Sequence, residues 1–349
     1  MVDVRPFRAL RPAAGLAAAL ISPPYDVIDV EEARAYAAGD KDSFLRVSRA
    51  EIDLPPTIDP HSDEVYARAR TNLDDFIARG VLVLDDVPTY SVYRLVMGSV
   101  TQVGIVAAVS VDDYDEGRVR IHEYTRPDKE LDRVKHIEAL DAQDEPVFLL
   151  SQRSPDVDVI VTRAMEQEPT VDLVSREGIA HTLWVIDEPS EVAALHRALA
   201  QVGDLYVADG HHRSAAASRV HAARESQPGE HDSFLAVVFP LDDVHVMAYN
   251  RVVADLVGRS GPEFLDALSQ VATVEPSPTA VAPVERHQFG VFLDGQWYIA
   301  QMSDVDEANP LGRLDVSLLQ DRVLGPLLGI GDPRTDVRIA FVGDRKSVV

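Results

Sequence analysis

Apolar residues recur with the helical period in some stretches of the chain and with the strand period in others. Helical spacing predicts helices over residues 30–38, 62–79, 157–166, 190–201 and 214–224, and Pro127 opens a further one. Strand-like runs predict strands over residues 43–47, 90–97, 103–111, 147–150, 182–186, 205–208, 234–239 and 245–252, and a hairpin over 289–301. Because the two kinds of element alternate, the pattern favours an α+β fold with mixed sheets flanked by helices.

The length of 349 residues is typical of about two domains. We place an N-terminal lobe at residues 1–150 and a second lobe at residues 151–349, although no Gly/Ser-rich linker marks a boundary near Ser151. Hydrophobic residues make up 46% of the chain and charged residues 26%, so we expect a folded protein rather than a disordered one.

Charge and residue content narrow the classes of function. The 33 Lys and Arg residues against 58 Asp and Glu residues give a net charge of −25, which disfavours nucleic acids and anionic membranes as partners. The absence of cysteine excludes disulfides, thiolate nucleophiles and iron–sulfur clusters. The apolar segment 15–21 is too short to span a membrane and follows a start of mixed charge, so we expect a cytoplasmic protein.

The strongest chemical signal is the run Asp209-Gly210-His211-His212-Arg213, which follows one predicted strand and precedes a predicted helix. Backbone amides at such a junction favour anions. Glycine lets the backbone approach a phosphate, arginine can donate two hydrogen bonds to it, and histidine can donate a hydrogen bond or a proton. The run therefore predicts a phosphate site. Two alternatives stay open: Asp209 caps the helix while both histidines are structural, or both histidines bind one metal ion.

A cationic cluster lies upstream of this motif. A helix that begins at Pro127 brings Lys129, Arg133 and His136 onto one face, with Arg126 at its base. The spacing fits a second phosphate-binding surface, and it equally fits a solvated face whose cations pair with neighbouring carboxylates.

His122 and Glu123 lie just before this cluster. They do not begin a zinc-protease motif, because Arg126 occupies the position where His-Glu-x-x-His requires its second histidine. Glu123 is therefore available as a general base. The sequence contains no Gly-rich loop of the P-loop or dinucleotide-binding type and no Gly-x-Ser-x-Gly elbow, so a nucleotide would bind by another route.

Several separated motifs occur in order along the chain. They are Pro23-Pro24-Tyr25-Asp26-Val27, Ser43–Val47 with Arg49 and Glu51, His122–Arg133, Pro146–Leu149, Ala208–Arg213 and Tyr249–Val252. On these motifs the chain resembles the domain-of-unknown-function 1015 family over almost its whole length. The Asp-Gly-His-His-Arg run also resembles the phosphate-binding motif of ParB-like serine kinases. Because some family members are described as ATP-dependent kinases of free L-serine, the resemblance implies a ParB-like nucleotide-binding core and the conversion of serine to O-phosphoserine.

The resemblance implies that Asp209, His211, His212 and Arg213 contact phosphates or their metal ion, and that Gly210 allows the close approach. The other roles follow from what a kinase needs: a base for the hydroxyl proton and cations that neutralise the phosphate charge. The expected catalytic residues are Glu123, Asp209 and His211, with Glu123 as the base and Asp209 as a Mg²⁺ ligand or alternative base. The residues expected to hold the nucleotide phosphates are Gly210, His212, Arg213, His122, Arg126, Lys129 and Arg133. ATP is the expected co-substrate, with ADP as an alternative, and Mg²⁺ is expected to bridge carboxylate and phosphate.

Two features depart from the family pattern. Ser214 stands where the family usually has tyrosine, and the sequence ends at Val349, short of the usual C-terminal tail. Three hypotheses follow: a kinase of a small hydroxy amino acid, a ParB-like nucleotide-binding regulator without metabolite kinase activity, or an inactive truncated member. A homodimer is compatible with each.

Overall fold

The computed structural model describes residues 1–224, 229–245, 248–333 and 335–343. The chain divides into two compact units, which cover residues 1–245 and 246–349. The boundary predicted near Ser151 therefore needs correction. Ser151 ends a strand that is hydrogen-bonded on both sides inside the first unit, so the chain cannot be divided there without opening a sheet.

The α+β class is confirmed. The helices are α1 (Ala17–Leu20), α2 (Val30–Tyr36), α3 (Leu45–Ser48), α4 (Asp63–Ala78), α5 (Val111–Asp115), α6 (Pro127–Leu140), α7 (Pro155–Met165), α8 (Pro189–Leu199), α9 (His211–Arg224), α10 (Gly261–Leu268), α11 (Asp315–Leu319) and α12 (Gly325–Leu328). The strands are β1 (Val4–Arg5), β2 (Leu10–Pro12), β3 (Leu82–Leu84), β4 (Tyr90–Met97), β5 (Val100–Ser110), β6 (Val119–Arg120), β7 (Val147–Ser151), β8 (Val171–Val174), β9 (Ala180–Ile186), β10 (Leu205–Asp209), β11 (Ser233–Pro240), β12 (Tyr249–Val253), β13 (Ala272–Ser277), β14 (Gln288–Leu293), β15 (Gln296–Met302) and β16 (Ile339–Gly343).

A large mixed sheet organises the first unit. Its strands lie in the order β6-β10-β7-β11-β5-β4-β9-β8, and β1 pairs with the end of β5. The β6–β10 and β7–β11 pairs are parallel, whereas the other neighbours are antiparallel. The apolar core of this unit includes Tyr90, Val109, Leu149 and Phe234 from the sheet and Leu195 from α8, all fully buried. These side chains hold in place the strands whose ends carry the polar motifs.

Packing between α6 and α9 positions the polar motifs next to one another. Val134 and Ile137 of α6 contact Ala216 and Val220 of α9 in a small buried cluster. Because α6 follows the His122–Glu123 segment and α9 begins at the Asp-Gly-His-His-Arg run, this contact holds two segments together that are far apart in the sequence.

The strand predicted over residues 43–47 is wrong, because this segment forms α3 and the turn before it. Leu45 packs with Ala33 and Ala37, whereas Val47 packs in a different cluster with Leu73. In a strand, residues two apart would face the same side. A helical turn directs them apart, which lets this short segment serve two apolar clusters at once.

Two other boundaries differ from the prediction. The helix predicted from Ser214 begins at His211, so three residues of the Asp-Gly-His-His-Arg run form its first turn. The strand predicted over residues 245–252 is observed as β12 from Tyr249, and residues 246–247 of that prediction lie outside the described residues.

The second unit has its own apolar core around Phe264, Leu268, Ala300 and Leu328. It contains the antiparallel sheet β13-β15-β14 and the antiparallel pair β12–β16. The predicted hairpin over residues 289–301 is confirmed as β14 and β15. In neither unit does a described helix have the length and apolar content needed to cross a membrane.

Candidate functional site

The connection between β10 and α9 is a tight backbone junction. The Gly210 carbonyl accepts hydrogen bonds from the amides of Arg213 at 2.9 Å and Ser214 at 3.0 Å, which starts the helix. Gly210 has φ +94°, and a Cβ atom placed on it would lie 3.0 Å from Arg213 Nε. Both the backbone conformation and the folded-back arginine therefore require glycine at this position.

Arg213 joins the end of β10 to the start of β7. Its guanidinium donates one hydrogen bond to Asp209 Oδ2 at 2.5 Å and another to the Pro146 carbonyl, and its side chain is 14% exposed. Asp209, by contrast, is 71% exposed. In this arrangement the guanidinium orders the loop, and the outer carboxylate oxygen of Asp209 faces solvent.

His211 is the most buried of the polar residues in the motif. The residue is 6% exposed, and its Nε2 atom is buried without a hydrogen-bond partner among the described residues. Its ring meets the His122 ring edge to face, with ring centres 4.4 Å apart. Burial, and then the neighbouring His122, lower the pKa of His211, so its ring is neutral near pH 7.

His122, Glu123 and His211, which we call the His–Glu–His cluster, converge although the first two are far from the third in sequence. One possible ligand atom from each side chain lies within 4.8 Å of the other two. His122 and Glu123 are exposed and form no hydrogen bond or ion pair with the described residues. Two imidazoles and one carboxylate are a donor set typical of transition-metal ions.

His212 has a different environment from its neighbour. Its Nε2 atom accepts a hydrogen bond from the backbone amide of Arg126 at 3.1 Å, which requires that nitrogen to be unprotonated. The start of α6 is held further by Glu130, which accepts from Thr125 Oγ1 at 2.5 Å and from Arg219 of α9 at 3.0 Å. These bonds fix the segment that carries His122 and Glu123 against the first turns of α9.

Most of the predicted cationic cluster is paired internally. The guanidinium of Arg126 lies 3.0 Å from Asp128, that of Arg133 lies 2.7 Å from Asp132, and His136 Nε2 lies 3.0 Å from Asp144. Arg133 and His136 are also buried. Lys129 is exposed and forms no ion pair within the described chain. The helix is as predicted, but Arg133 and His136 do not extend a free cationic face.

A second polar cluster, which the sequence did not reveal as a site, lies beside Pro146. We call it the Glu145 cluster, and it comprises Tyr25, Arg133, Asp144 and Glu145. Glu145 Oε1 accepts from the Tyr25 amide at 3.1 Å, whereas its Oε2 is buried without a partner among the described residues. The Arg133 guanidinium lies 4.0 Å from the centre of the Tyr25 ring. Burial, and then the adjacent Asp144, raise the pKa of Glu145 to about 8.

Two of the sequence motifs meet in this cluster through Arg49. Its guanidinium donates to the Tyr25 carbonyl at 2.5 Å and the Ile28 carbonyl at 2.9 Å, and it pairs with Glu51 at 2.6 Å. The spacing of these residues along the chain gives no sign of this convergence. The signal in the sequence was that Tyr25 belongs to one of the motifs that resemble the family, and Arg49 and Glu51 belong to another. In the structure these two segments share one hydrogen-bond network.

A cleft at the opposite end of β7 offers different chemistry. It has a volume of about 320 Å³ and is lined by apolar residues of the sheet and α7, including Val103, Val157 and Val161. Arg153 at its edge is paired with Asp158 and Asp243, so its charge is neutralised. None of the residues Asp209–Arg213 lines this cleft.

Comparison with known proteins identifies the family of the chain. The family model described as "Protein of unknown function (DUF1015)" matches residues 4–317. Neither the curated proteins nor the solved structures contain a match to the chain. The chain therefore belongs to the DUF1015 family.

Proposed function

We propose that this protein is a nucleotide-dependent kinase that phosphorylates the hydroxyl group of a small free substrate. L-Serine is the proposed acceptor, ATP the proposed donor and ADP the alternative donor. The observation that carries this proposal is the buried Nε2 atom of His211 at the start of α9, which has no hydrogen-bond partner among the described residues. A ParB-like nucleotide-binding core is part of the same proposal.

The start of α9 is suited to a phosphate group. Amides in the first turn of a helix have no partners within the helix, and the aligned peptide dipoles place partial positive charge there. His211 adds a ring nitrogen at the same end, and exposed Lys129 adds a cation on the neighbouring α6. A hydrogen bond to a charged group contributes about 1.5–3 kcal/mol, so losing the His211 contact would weaken binding by about 10- to 150-fold.

The proposed transfer needs a proton acceptor next to the phosphate. The serine oxygen attacks the terminal phosphorus, and the new O–P bond forms as the bond to the leaving nucleotide breaks, which is ADP when ATP is the donor and AMP when ADP is the donor. The hydroxyl proton passes to a carboxylate. We assign this role to Glu123, because it is exposed and unpaired within the described chain, and to Asp209 as the alternative. Arg213 acts mainly by holding Asp209 and the loop in place.

The protein side chains fit Mg²⁺ only in part. Mg²⁺ prefers oxygen ligands in an octahedron and is commonly held by one or two carboxylates together with substrate phosphates. The exposed oxygen of Asp209 suits one such contact to Mg²⁺ that enters with a nucleotide. The His–Glu–His cluster, with two nitrogen donors, does not match that preference.

The experiment incubates the full chain with Mg²⁺ and either ATP or ADP in the presence of a panel of free hydroxy amino acids, and detects phosphorylated products by mass spectrometry. Nucleotide binding is measured in parallel by calorimetry. The test variant is His211→Ala, and the matched control is His245→Ala, since His245 is exposed and lies outside the motif.

We expect O-phosphoserine from the wild type and from His245→Ala, and a large loss from His211→Ala. Nucleotide binding without product from any acceptor would instead support a ParB-like regulator without metabolite kinase activity. Absence of both binding and product would contradict the kinase proposal and favour an inactive family member.

A further inference from the structure

The His–Glu–His cluster offers a donor set that Mg²⁺ does not prefer. Imidazole nitrogens favour Zn²⁺ and other borderline first-row ions, and a site of two histidines and one carboxylate is an established arrangement for such metals. We infer that His122, Glu123 and His211 bind one divalent transition-metal ion of the Zn²⁺ class, separately from any Mg²⁺ that a nucleotide carries. This inference does not depend on the proposed transfer, and it can hold for a chain without kinase activity.

The distances allow this site to close on a metal with small side-chain movements. The three ligand atoms lie within 4.8 Å of one another. In a tetrahedral zinc site with Zn–N bonds of about 2.0–2.1 Å, neighbouring ligand atoms are about 3.3 Å apart. His122 and Glu123 are exposed, so rotation of their side chains can bring their ligand atoms closer to His211, which stays fixed.

The burial of His211 is the second observation that points to a ligand. Its Nε2 atom is buried and has no hydrogen-bond partner among the described residues. Leaving a buried polar group without a partner costs about 1–3 kcal/mol. The neighbouring ring is another imidazole at 4.4 Å rather than an apolar side chain. A shared metal ion would provide the missing partner for His211 Nε2.

The surrounding hydrogen bonds hold the segment that carries His122 and Glu123 next to the segment that carries His211. The Arg126 amide donates to His212 Nε2, and Arg219 of α9 pairs with Glu130 of α6. Such outer contacts orient metal ligands and affect affinity by about 10- to 100-fold. They also exclude the arrangement in which His211 and His212 bind one ion through their Nε2 atoms, because that nitrogen of His212 is already occupied.

The metal site leaves one coordination position for another molecule. Three protein ligands around a tetrahedral ion leave one position open, as in catalytic zinc sites. The start of α9 lies beside this position, because His211 is its first residue. A phosphate oxygen is therefore the kind of group that could complete the coordination. In the metal-bound state Glu123 is a ligand, and Asp209 becomes the carboxylate available to the acceptor hydroxyl.

The test measures metal binding on the full chain without nucleotide. Metal-stripped protein is titrated with Zn²⁺ and, separately, with Mg²⁺ by calorimetry, and Co²⁺ is added as a spectroscopic probe whose visible bands report nitrogen and oxygen ligation. The main variants are His122→Ala and Glu123→Gln, because these exposed residues can be changed without disturbing the core. His211→Ala is the third variant, and His245→Ala controls for adventitious binding to a surface histidine.

We expect one Zn²⁺ per chain, little competition from Mg²⁺, and affinity at least about tenfold lower in each of the three ligand variants. His245→Ala should bind as the wild type does. Equal binding by wild type, His122→Ala and Glu123→Gln, or no stoichiometric Zn²⁺ in the wild type, would overturn the site. Failure of the kinase assay leaves this result unchanged, because no nucleotide is present.

Discussion

Replacing Glu145 with glutamine should stabilise the first unit relative to the wild type, and the difference in stability should grow as the pH rises. The charged groups that influence the Glu145 carboxyl are Asp144 and Asp26, which raise its pKa, and Arg213 and Arg133, which lower it. Burial is the largest influence, and together these raise the pKa from its ordinary value of 4.5 to about 8. Glutamine has nearly the same shape as the protonated carboxyl and can still accept from the Tyr25 amide.

The size of the effect follows from proton linkage. One pKa unit corresponds to about 1.4 kcal/mol. Near pH 4 the carboxyl is protonated in both the folded and unfolded chain, so it adds no pH-dependent cost. As the pH rises from about 4.5 to 8, the unfolded chain releases this proton while the folded chain keeps it, and stability falls. At pH 7 the cost approaches about 3 kcal/mol, and it is constant well above pH 8.

Urea unfolding of the wild type and Glu145→Gln from pH 4 to pH 9 would measure this cost. The two tryptophans lie in different units, so a Trp297→Phe background leaves buried Trp184 to report on the first unit. Glu138→Gln is the matched control, because Glu138 is exposed on α6. The stabilisation by Glu145→Gln should grow with pH, whereas a difference that is the same at every pH would refute the reasoning.

Two further predictions concern local backbone structure. Gly210→Ala should destabilise the first unit by about 1–3 kcal/mol, because alanine is strained at φ +94° and its Cβ would lie 3.0 Å from Arg213 Nε. Gly203→Ala is the control, because Gly203 has φ +80° with open space around it. Equal losses of stability in the two variants would show that the contact with Arg213 is unimportant. Ser260→Ala should lower the stability of the second unit by about 1 kcal/mol, because Ser260 and Glu263 form a reciprocal cap at the start of α10. Urea unfolding followed by Trp297 fluorescence measures this loss. An unchanged unfolding midpoint would contradict the prediction.

The sequence predicted elements whose signals are local. The strands β4 and β5, the long helix α4 and the β14–β15 hairpin follow from periodicity and turn residues within each segment. The segment 43–47 was misassigned because its conformation depends on two apolar clusters supplied by other segments. Its short apolar run matches a strand equally well when these clusters are unknown.

The candidate site was predictable in its parts but not in its contacts. The chemistry of Asp209 to Arg213 was visible because five functional residues follow one another. The meeting of His122 with His211 depends on the packing of α6 against α9, which no local pattern encodes. Glu145 was missed for the same reason: Asp144-Glu145-Pro146 is typical of an exposed turn, and its burial comes from distant Tyr25 and Arg133.

The position of Glu145 argues for a functional role rather than a structural one. Its Oε2 atom is buried without a partner among the described residues, which disfavours the ionised carboxyl at neutral pH, and glutamine would retain the hydrogen bond from Tyr25 without that cost. Its backbone neighbour Pro146 is bound by Arg213, which also holds Asp209 at the start of α9. Groups with strongly shifted pKa values that lie beside a ligand-binding motif are candidates for proton transfer. Because its pKa is raised to about 8, Glu145 favours the protonated form near pH 7, and we propose it as an acid beside Glu123, the proposed base or metal ligand. Under the proposed function, two carboxyl groups in such different surroundings would supply an acid and a base within one pH range.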